Sequence, residues 1–215
     1  MKRGCFITAE GNEGAGKSTI VKRAADYLAS KGFDVITTRE PGGIAIAEQI
    51  RAILLDRNHA GMDGRTEALL YAAARRQHYV EKIAPALQEG TTVLCDRFID
   101  SSLAYQGYAR GLGIDEILSI NRFAIEDAFP DLTLYLDVDP ELGLRRVSRR
   151  GDREINRLDL ESLDFHRKVR QGYLELMSRF PGRIVRIDGS GTEDEVFEEA
   201  RQALDRFMAR ANSPG

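Results

Sequence analysis

The chain has 215 residues, of which 42% are hydrophobic and 30% charged, with a net charge of −3. That length suits one α/β domain with a sizeable core, and an acidic balance argues against a general nucleic-acid binder, which would be basic. Met1-Lys2-Arg3-Gly4 lacks the apolar stretch of a signal peptide and no window approaches the roughly 18 apolar residues of a membrane helix, so a cytoplasmic protein without a membrane partner is expected.

In chain order, Phe6–Glu10 reads as a short buried strand and Lys17–Ser30 as a helix whose inner face is Ile20, Val21, Ala24, Ala25 and Leu28. A strand at Asp34–Thr38, a helix at Ile44–Leu55 and a long helix at Arg65–Gln88 follow. Next come a strand at Thr92–Asp96, a helix at Ile114–Ala128 and a strand at Leu132–Asp137. Helices at Pro140–Arg149 and Glu161–Phe180, a strand at Ile184–Asp188 and a helix at Thr192–Ala209 complete the series. Phe165, Val169, Tyr173 and Leu176 stripe one of the last helices; Val196, Ala200, Leu204, Phe207 and Met208 stripe the other. This alternation predicts a five-stranded parallel sheet covered by helices on both faces. No linker, repeat or low-complexity stretch interrupts it, so residues 1–215 are read as a single domain, with the polar tail 209–215 expected to fray. Cys5 and Cys95 lie in or beside apolar strand-like runs and are expected as reduced thiols, and His59, His78 and His166 have no zinc-ligand spacing.

The reaction class is written between the first strand and the first helix. Gly11, Asn12, Glu13, Gly14, Ala15, Gly16, Lys17, Ser18 and Thr19 satisfy G-x-x-x-x-G-K-[ST] in its required context of strand, glycine loop and helix. Such a loop closes backbone N–H groups around phosphate oxygens at a helix N-terminus, where the macrodipole favours anions. Lys17 would reach the β- and γ-phosphates, and Ser18 would offer its hydroxyl to Mg²⁺. The reading is a nucleoside triphosphate site. No Asn-Lys-x-Asp motif points to guanine and no Leu-Ser-Gly-Gly-Gln signature points to a transport ATPase.

Other stretches place arginines and carboxylates at strand ends, where open α/β sheets bind ligands. Arg39-Glu40-Pro41-Gly42-Gly43 follows the second strand, and Asp96-Arg97-Phe98 follows the third and leads to Ser101-Ser102-Leu103-Ala104-Tyr105-Gln106-Gly107. Tyr71 and Arg75 are four apart on a helix and so share a face. Residues 148–159 have almost nothing to bury and read either as a solvated loop or as a mobile lid whose arginines close over phosphates.

Together, the phosphate loop, Arg-Glu-Pro-Gly-Gly, Asp-Arg-Phe and Ser-Leu-Ala-Tyr-Gln-Gly resemble thymidylate kinases, bacterial ones above all, over most of the chain. The resemblance implies a P-loop NTPase fold with a short arginine-rich lid, transfer of phosphate from Mg-ATP to dTMP, and a homodimer. It implies that Arg39 and Arg97 clamp the dTMP phosphate, Tyr71 stacks on thymine, and Arg75 and Gln106 bond its edge. Ser102 and Arg51 would support the base region, Tyr105 would fill the sugar pocket, and Glu13 would meet the 3′-hydroxyl. Asp96 would join Ser18 at Mg²⁺. The position at which one branch of the family carries a loop arginine is here Gly14, so the lid is expected to supply the catalytic cation, through Arg153 and Arg157 first and Arg149 next, alongside Lys17 and Arg97. Each residue also has a plainer alternative. Tyr71 and Tyr105 suit core aromatics, Glu13 a first-turn carboxylate, and Arg51 an ion pair near Asp56. The loop Asp188–Thr192 either borders adenine or is a turn with Thr192 as N-cap.

Overall fold

The computed structural model describes residues 3–149 and 157–212. Among them, five parallel strands form one sheet: β1 (Phe6–Glu10), β2 (Val35–Arg39), β3 (Thr92–Asp96), β4 (Leu132–Asp137) and β5 (Ile184–Asp188), in the order β2-β3-β1-β4-β5. The apolar runs of β1, β3 and β4 are buried because helices cover both faces of the sheet. On one face, α1 (Lys17–Ser30) and α9 (Glu193–Asn212) pack through Ile20, Val21, Ala24, Leu28, Ala200 and Leu204 against Ile7, Leu94, Leu134 and Ile187. On the other, α3 (Gly64–His78), α6 (Ile114–Ile125) and α8 (Leu163–Arg179) enclose a core containing Phe6, Phe98, Ile117, Tyr135 and Tyr173. This is the five-stranded P-loop arrangement expected from the alternation of elements.

Several boundaries differ from the sequence reading for local reasons. The long helix expected over 65–88 is broken: α3 passes through a π-helical turn at Tyr79–Ile83 before α4 (Ala84–Gln88), where Pro85 lacks an N–H to continue the α ladder. The helix expected to reach Ala128 stops at Ile125, because Glu126 and Asp127 take left-handed backbone angles of φ 53° and 60°. A short helix, α5 (Ile99–Ser102), and a π-helical turn, Leu103–Ala109, occupy a stretch assigned no element from sequence. At the C-terminus α9 runs on to Asn212, so 209–212 are helical rather than frayed, and 213–215 lie outside the described residues. Both cysteines are free thiols, Cys95 buried and Cys5 half-buried. No helix among the described residues is long and apolar enough to cross a membrane.

Parallel register brings the strand ends together. Asp96 pairs with Arg39 on one side and Ala9 on the other, so Glu10, Arg39 and Asp96 emerge at one edge of the sheet. Between β1 and its neighbours the chain direction of winding reverses, and the crevice there is where such sheets bind nucleotides. The remaining helices are α2 (Ala45–Leu55) and α7 (Pro140–Arg149). The latter lies backbone to backbone on the phosphate loop: a Cβ on Gly143 would stand 2.4 Å from Glu13 O, and one on Gly14, whose φ is 73°, would stand 2.1 Å from Gly143 O.

Gly143→Ala should therefore push α7 off the loop. We expect a loss of about 1–3 kcal/mol in urea unfolding together with weaker ATP binding; an unchanged midpoint would mean that the two backbones can part freely.

Candidate functional site

A cleft of about 630 Å³ opens along the carboxyl ends of β1, β2 and β3. Its phosphate-loop wall is Glu13 to Thr19, and its far wall is built from Arg39, Arg51, Tyr71, Arg75, Arg97, Ser102, Tyr105 and Gln106, with Asp96 between. Gly11 and Asn12, the first two loop residues, do not line the cleft, and their carbonyl oxygens accept hydrogen bonds from Lys17 Nζ at 3.0 and 2.8 Å.

Glu13 is the junction of the two walls. Its Oε1 accepts from Arg97 Nη2 at 2.8 Å, and Tyr105 Oη donates to both of its oxygens at 2.9 and 2.8 Å. Burial pushes this carboxyl up, but the charges of Arg97 and Lys17 outweigh it and hold Glu13 well below the usual carboxylate range. Nδ1 of the buried His166 sits 3.2 Å from Oε2, near enough to feel the charge but not aligned for a hydrogen bond. Asn12 Nδ2 donates to His166 O at 2.8 Å, which ties α8 to the loop. Arg97 follows β3 with φ 69°, a left-handed angle that costs a non-glycine residue about 1–3 kcal/mol and turns the chain where its guanidinium meets Glu13.

Among the described residues Arg75 is the most enclosed arginine, with its side chain 1% exposed. Its Nε donates to Glu40 at 2.8 Å, its Nη1 to Ser102 Oγ at 2.9 Å and to Asn121, and its Nη2 to Phe98 O at 2.9 Å. Glu40 also takes His78 Nδ1 at 2.9 Å. The neighbouring Arg76 is the solvated one of the pair, bonded to Glu126 on the surface. The π turn at Leu103–Ala109 buries Tyr105 and Gln106 side by side while both still line the cleft; irregular helical turns of this kind recur at functional sites. Arg39 Nη1 and Arg51 Nη1 both donate to Pro41 O, at 3.1 and 2.8 Å, so Arg51 belongs to the cleft wall and not to a surface pair with Asp56.

The lid arginines divide. Arg149, at the end of α7, lines the cleft. Arg157 does not line it: it is buried, donating through Nε to Leu54 O at 2.9 Å and through Nη2 to Glu67. This placement departs from the catalytic role expected of Arg157, and its cause is the buried Glu67 carboxylate, which needs cationic partners. Arg153, the other first choice, and Arg150 lie outside the described residues. Thr192 caps α9 in a reciprocal box with Glu195, at 2.8 and 3.3 Å, as the turn reading of that loop expected, and it also lines the cleft beside Gly189 and Gly191.

Ser18 Oγ donates to Asp96 Oδ2 at 2.6 Å, and both line the cleft next to Lys17. A hydroxyl and a carboxylate are hard oxygen donors that fit Mg²⁺, which takes few protein ligands and fills its shell with water and phosphate. Among the described residues no cluster of three or more His, Cys, Asp and Glu offers a cage for a metal. Sequence reasoning passed over Glu10, Glu67 and His166. Glu10, fully buried at the end of β1, accepts from Phe98 N at 2.7 Å and Ser101 Oγ at 2.6 Å and so sets the backbone after Arg97. A carboxylate closing an apolar strand was its signal; Glu67 and His166 carried none, since each lies among surface-like helical residues.

Burial, with Arg97 nearby, lowers the Lys17 pKa from its ordinary 10.5 to about 8. Between these values the unfolded chain keeps a proton that the folded, ligand-free chain has released, so stability rises with pH across that window. Urea midpoints at pH 7.5, 8.5 and 9.5 should show this rise in the unaltered chain relative to Lys17→Met; parallel curves would contradict a depressed lysine.

The thymidylate kinase family model matches residues 9–200. The thymidylate kinase of Clostridium novyi is 59% identical over 204 residues, covering 95% of this chain and 100% of its own length. That of Anoxybacillus flavithermus is 63% identical over 205 residues, covering 95% and 98%. The crystal structure of thymidylate kinase from Ehrlichia chaffeensis superposes with a TM-score of 0.77 at 33% identity, across 94% of this chain and 99% of that one. With the family's sequence pattern running through both walls of the cleft and the same fold beneath it, this chain belongs to the thymidylate kinase family.

Proposed function

We propose that the cleft transfers the γ-phosphoryl group of ATP to the 5′-phosphate of dTMP, giving dTDP and ADP. One observation carries this reading: a single cleft has a phosphate loop on one wall and arginines with base-reading groups on the other, joined through Glu13. Lys17 holds the β- and γ-phosphates, with the adenine end directed toward Gly189, Gly191 and Thr192. Arg39 and Arg97 hold the acceptor phosphate, which is already anionic near neutral pH and needs no general base. Tyr71 lies against the base, Arg75 and Gln106 meet its edge, Ser102 and Arg51 buttress that region, and Tyr105 packs on the sugar with Glu13 at the 3′-hydroxyl. Ser18 and Asp96 would hold Mg²⁺, which supplies charge neutralisation for the triphosphate. Among the described lid residues Arg149 lines the cleft, which supports it as a cation that meets charge developing on the transferred group.

Arg76 Nη1 donates to Ala124 O at 3.1 Å, linking α3 to α6, and these helices expose Leu69 (56%) and Phe123 (90%). An apolar face of this kind supports a homodimer packed through helices, in a cytoplasmic enzyme.

The test is ADP release with Mg-ATP against dTMP, dUMP, dCMP, UMP, AMP, GMP and thymidine. Strong preference for dTMP is expected, and turnover confined to another monophosphate would overturn the base assignments. Arg97→Ala should lower kcat/KM for dTMP by roughly 10- to 100-fold, the loss of a charged hydrogen bond; unaltered kinetics would remove Arg97 from the phosphate clamp. Arg149→Ala should lower kcat more than it weakens ATP binding, whereas equal losses would make it a docking contact. Phe123→Asp should shift the sedimenting species from dimer to monomer.

A further inference from the structure

Glu67 sits one turn into α3, its side chain 1% exposed, and gathers donors from three residues. Its Oε1 accepts from Gln106 Nε2 at 2.8 Å and Arg110 Nε at 3.3 Å; its Oε2 accepts from Arg110 Nη2 at 3.2 Å and from Arg157 Nη2. Arg110 is braced in turn by Glu161 at 2.5 Å. Burial pushes the Glu67 carboxyl up, and hydrogen bonds from Arg110, with its charge, outweigh that and lower it. Glu67 is thus an ionised carboxylate, and an ionised carboxylate can only accept.

That has a consequence for Gln106, whose amide can in principle turn either way. Facing a carboxylate, it must present its NH₂ group to Glu67, which leaves Oε1 with no partner among the described residues on a side chain that lines the cleft. Arg75 stands beside it, joined through Ser102, one helical turn before Gln106. Its Nη2 uses one hydrogen on Phe98 O and retains another. The pocket edge therefore offers an acceptor next to a donor.

We propose that Glu67 is a positioning residue that determines base specificity: by fixing the Gln106 amide with Oε1 toward the cleft, it selects pyrimidines with a hydrogen on N3 and a carbonyl at C4, and rejects cytosine. Cytosine presents the reverse pattern, an acceptor at N3 and an amino donor at C4, and would meet Oε1 lone pair to lone pair. The inference rests on the reading of this cleft as the dTMP site.

The experiment compares kcat/KM for dTMP and dCMP in the unaltered enzyme and in Glu67→Gln. A glutamine at this position can offer either amide end, so Gln106 is released to turn. The dTMP-to-dCMP ratio is expected to fall about tenfold or more. If both substrates lose the same factor and the ratio stands, Glu67 is only structural and the proposal is overturned. Should Glu67→Gln not fold, Glu67→Gln with Arg157→Gln removes the stranded guanidinium and is read by the same ratio. In the unaltered enzyme, 3-methyl-dTMP, which has no N3 hydrogen, should compete at least tenfold more weakly than dTMP; equal competition also overturns the proposal. An unaltered enzyme that prefers some other monophosphate would instead overturn the dTMP reading itself, and so the two failures are distinguishable.

Discussion

Glu13 and Arg97 are held together by a charge-assisted hydrogen bond of 2.8 Å, and the rest of the cleft is arranged around that contact. Glu13 comes from the phosphate loop after β1, and Arg97 from the turn after β3, the strand beside β1 in the sheet. A buried carboxylate of this kind is stable only while its cation and hydrogen-bond donors stay in place. The pair therefore fixes the distance between the phosphate loop and the opposite wall of the cleft. Tyr105 closes on the same carboxylate from the π turn, so this cleft-lining aromatic takes its position from the same charge.

The far wall repeats the device. Arg75 is embedded among Glu40, Ser102, Asn121 and Phe98 O, and Glu40 is itself shared with His78, which bonds Thr38 Oγ1 at 2.7 Å. Isolated burial of either charge would cost several kcal/mol; in this network nearly every donor is used and the guanidinium cannot swing. The result is rigidity in the far wall of the cleft. Glu67 does the same for Gln106 and Arg110, and it draws in Arg157 from the end of the lid stretch. The far wall of the cleft and the end of the lid stretch are thereby anchored to one carboxylate.

Much of this was legible along the chain. The strands β1, β3, β4 and β5 have the bounds that their apolar runs implied, and β2 is displaced by one residue. The phosphate loop was readable because its chemistry is local: glycines, lysine and serine act within nine consecutive residues. Arg39, Tyr71, Arg75, Asp96, Arg97, Ser102, Tyr105 and Gln106 could be named from short motifs, and all line one cleft. The π turns were not legible, since seven consecutive residues from Leu103 to Ala109 carry no period that separates a π turn from an α-helix. Nor was the use of Arg157, because an arginine within a polar lid stretch looks the same whether it faces phosphate or a buried glutamate.

By itself, then, the sequence determined the strand–helix alternation, the phosphate loop and the residue types of both walls, because each depends on neighbours within a few positions. Tertiary structure decided which partner each charge keeps. Glu13 finds Arg97 across 84 residues, Arg75 finds Glu40 across 35, and Arg157 finds Glu67 across 90. Whether an arginine is free for substrate or committed to a buried carboxylate depends on desolvation and distance in the folded chain, and neither quantity exists until the sheet order brings those segments together.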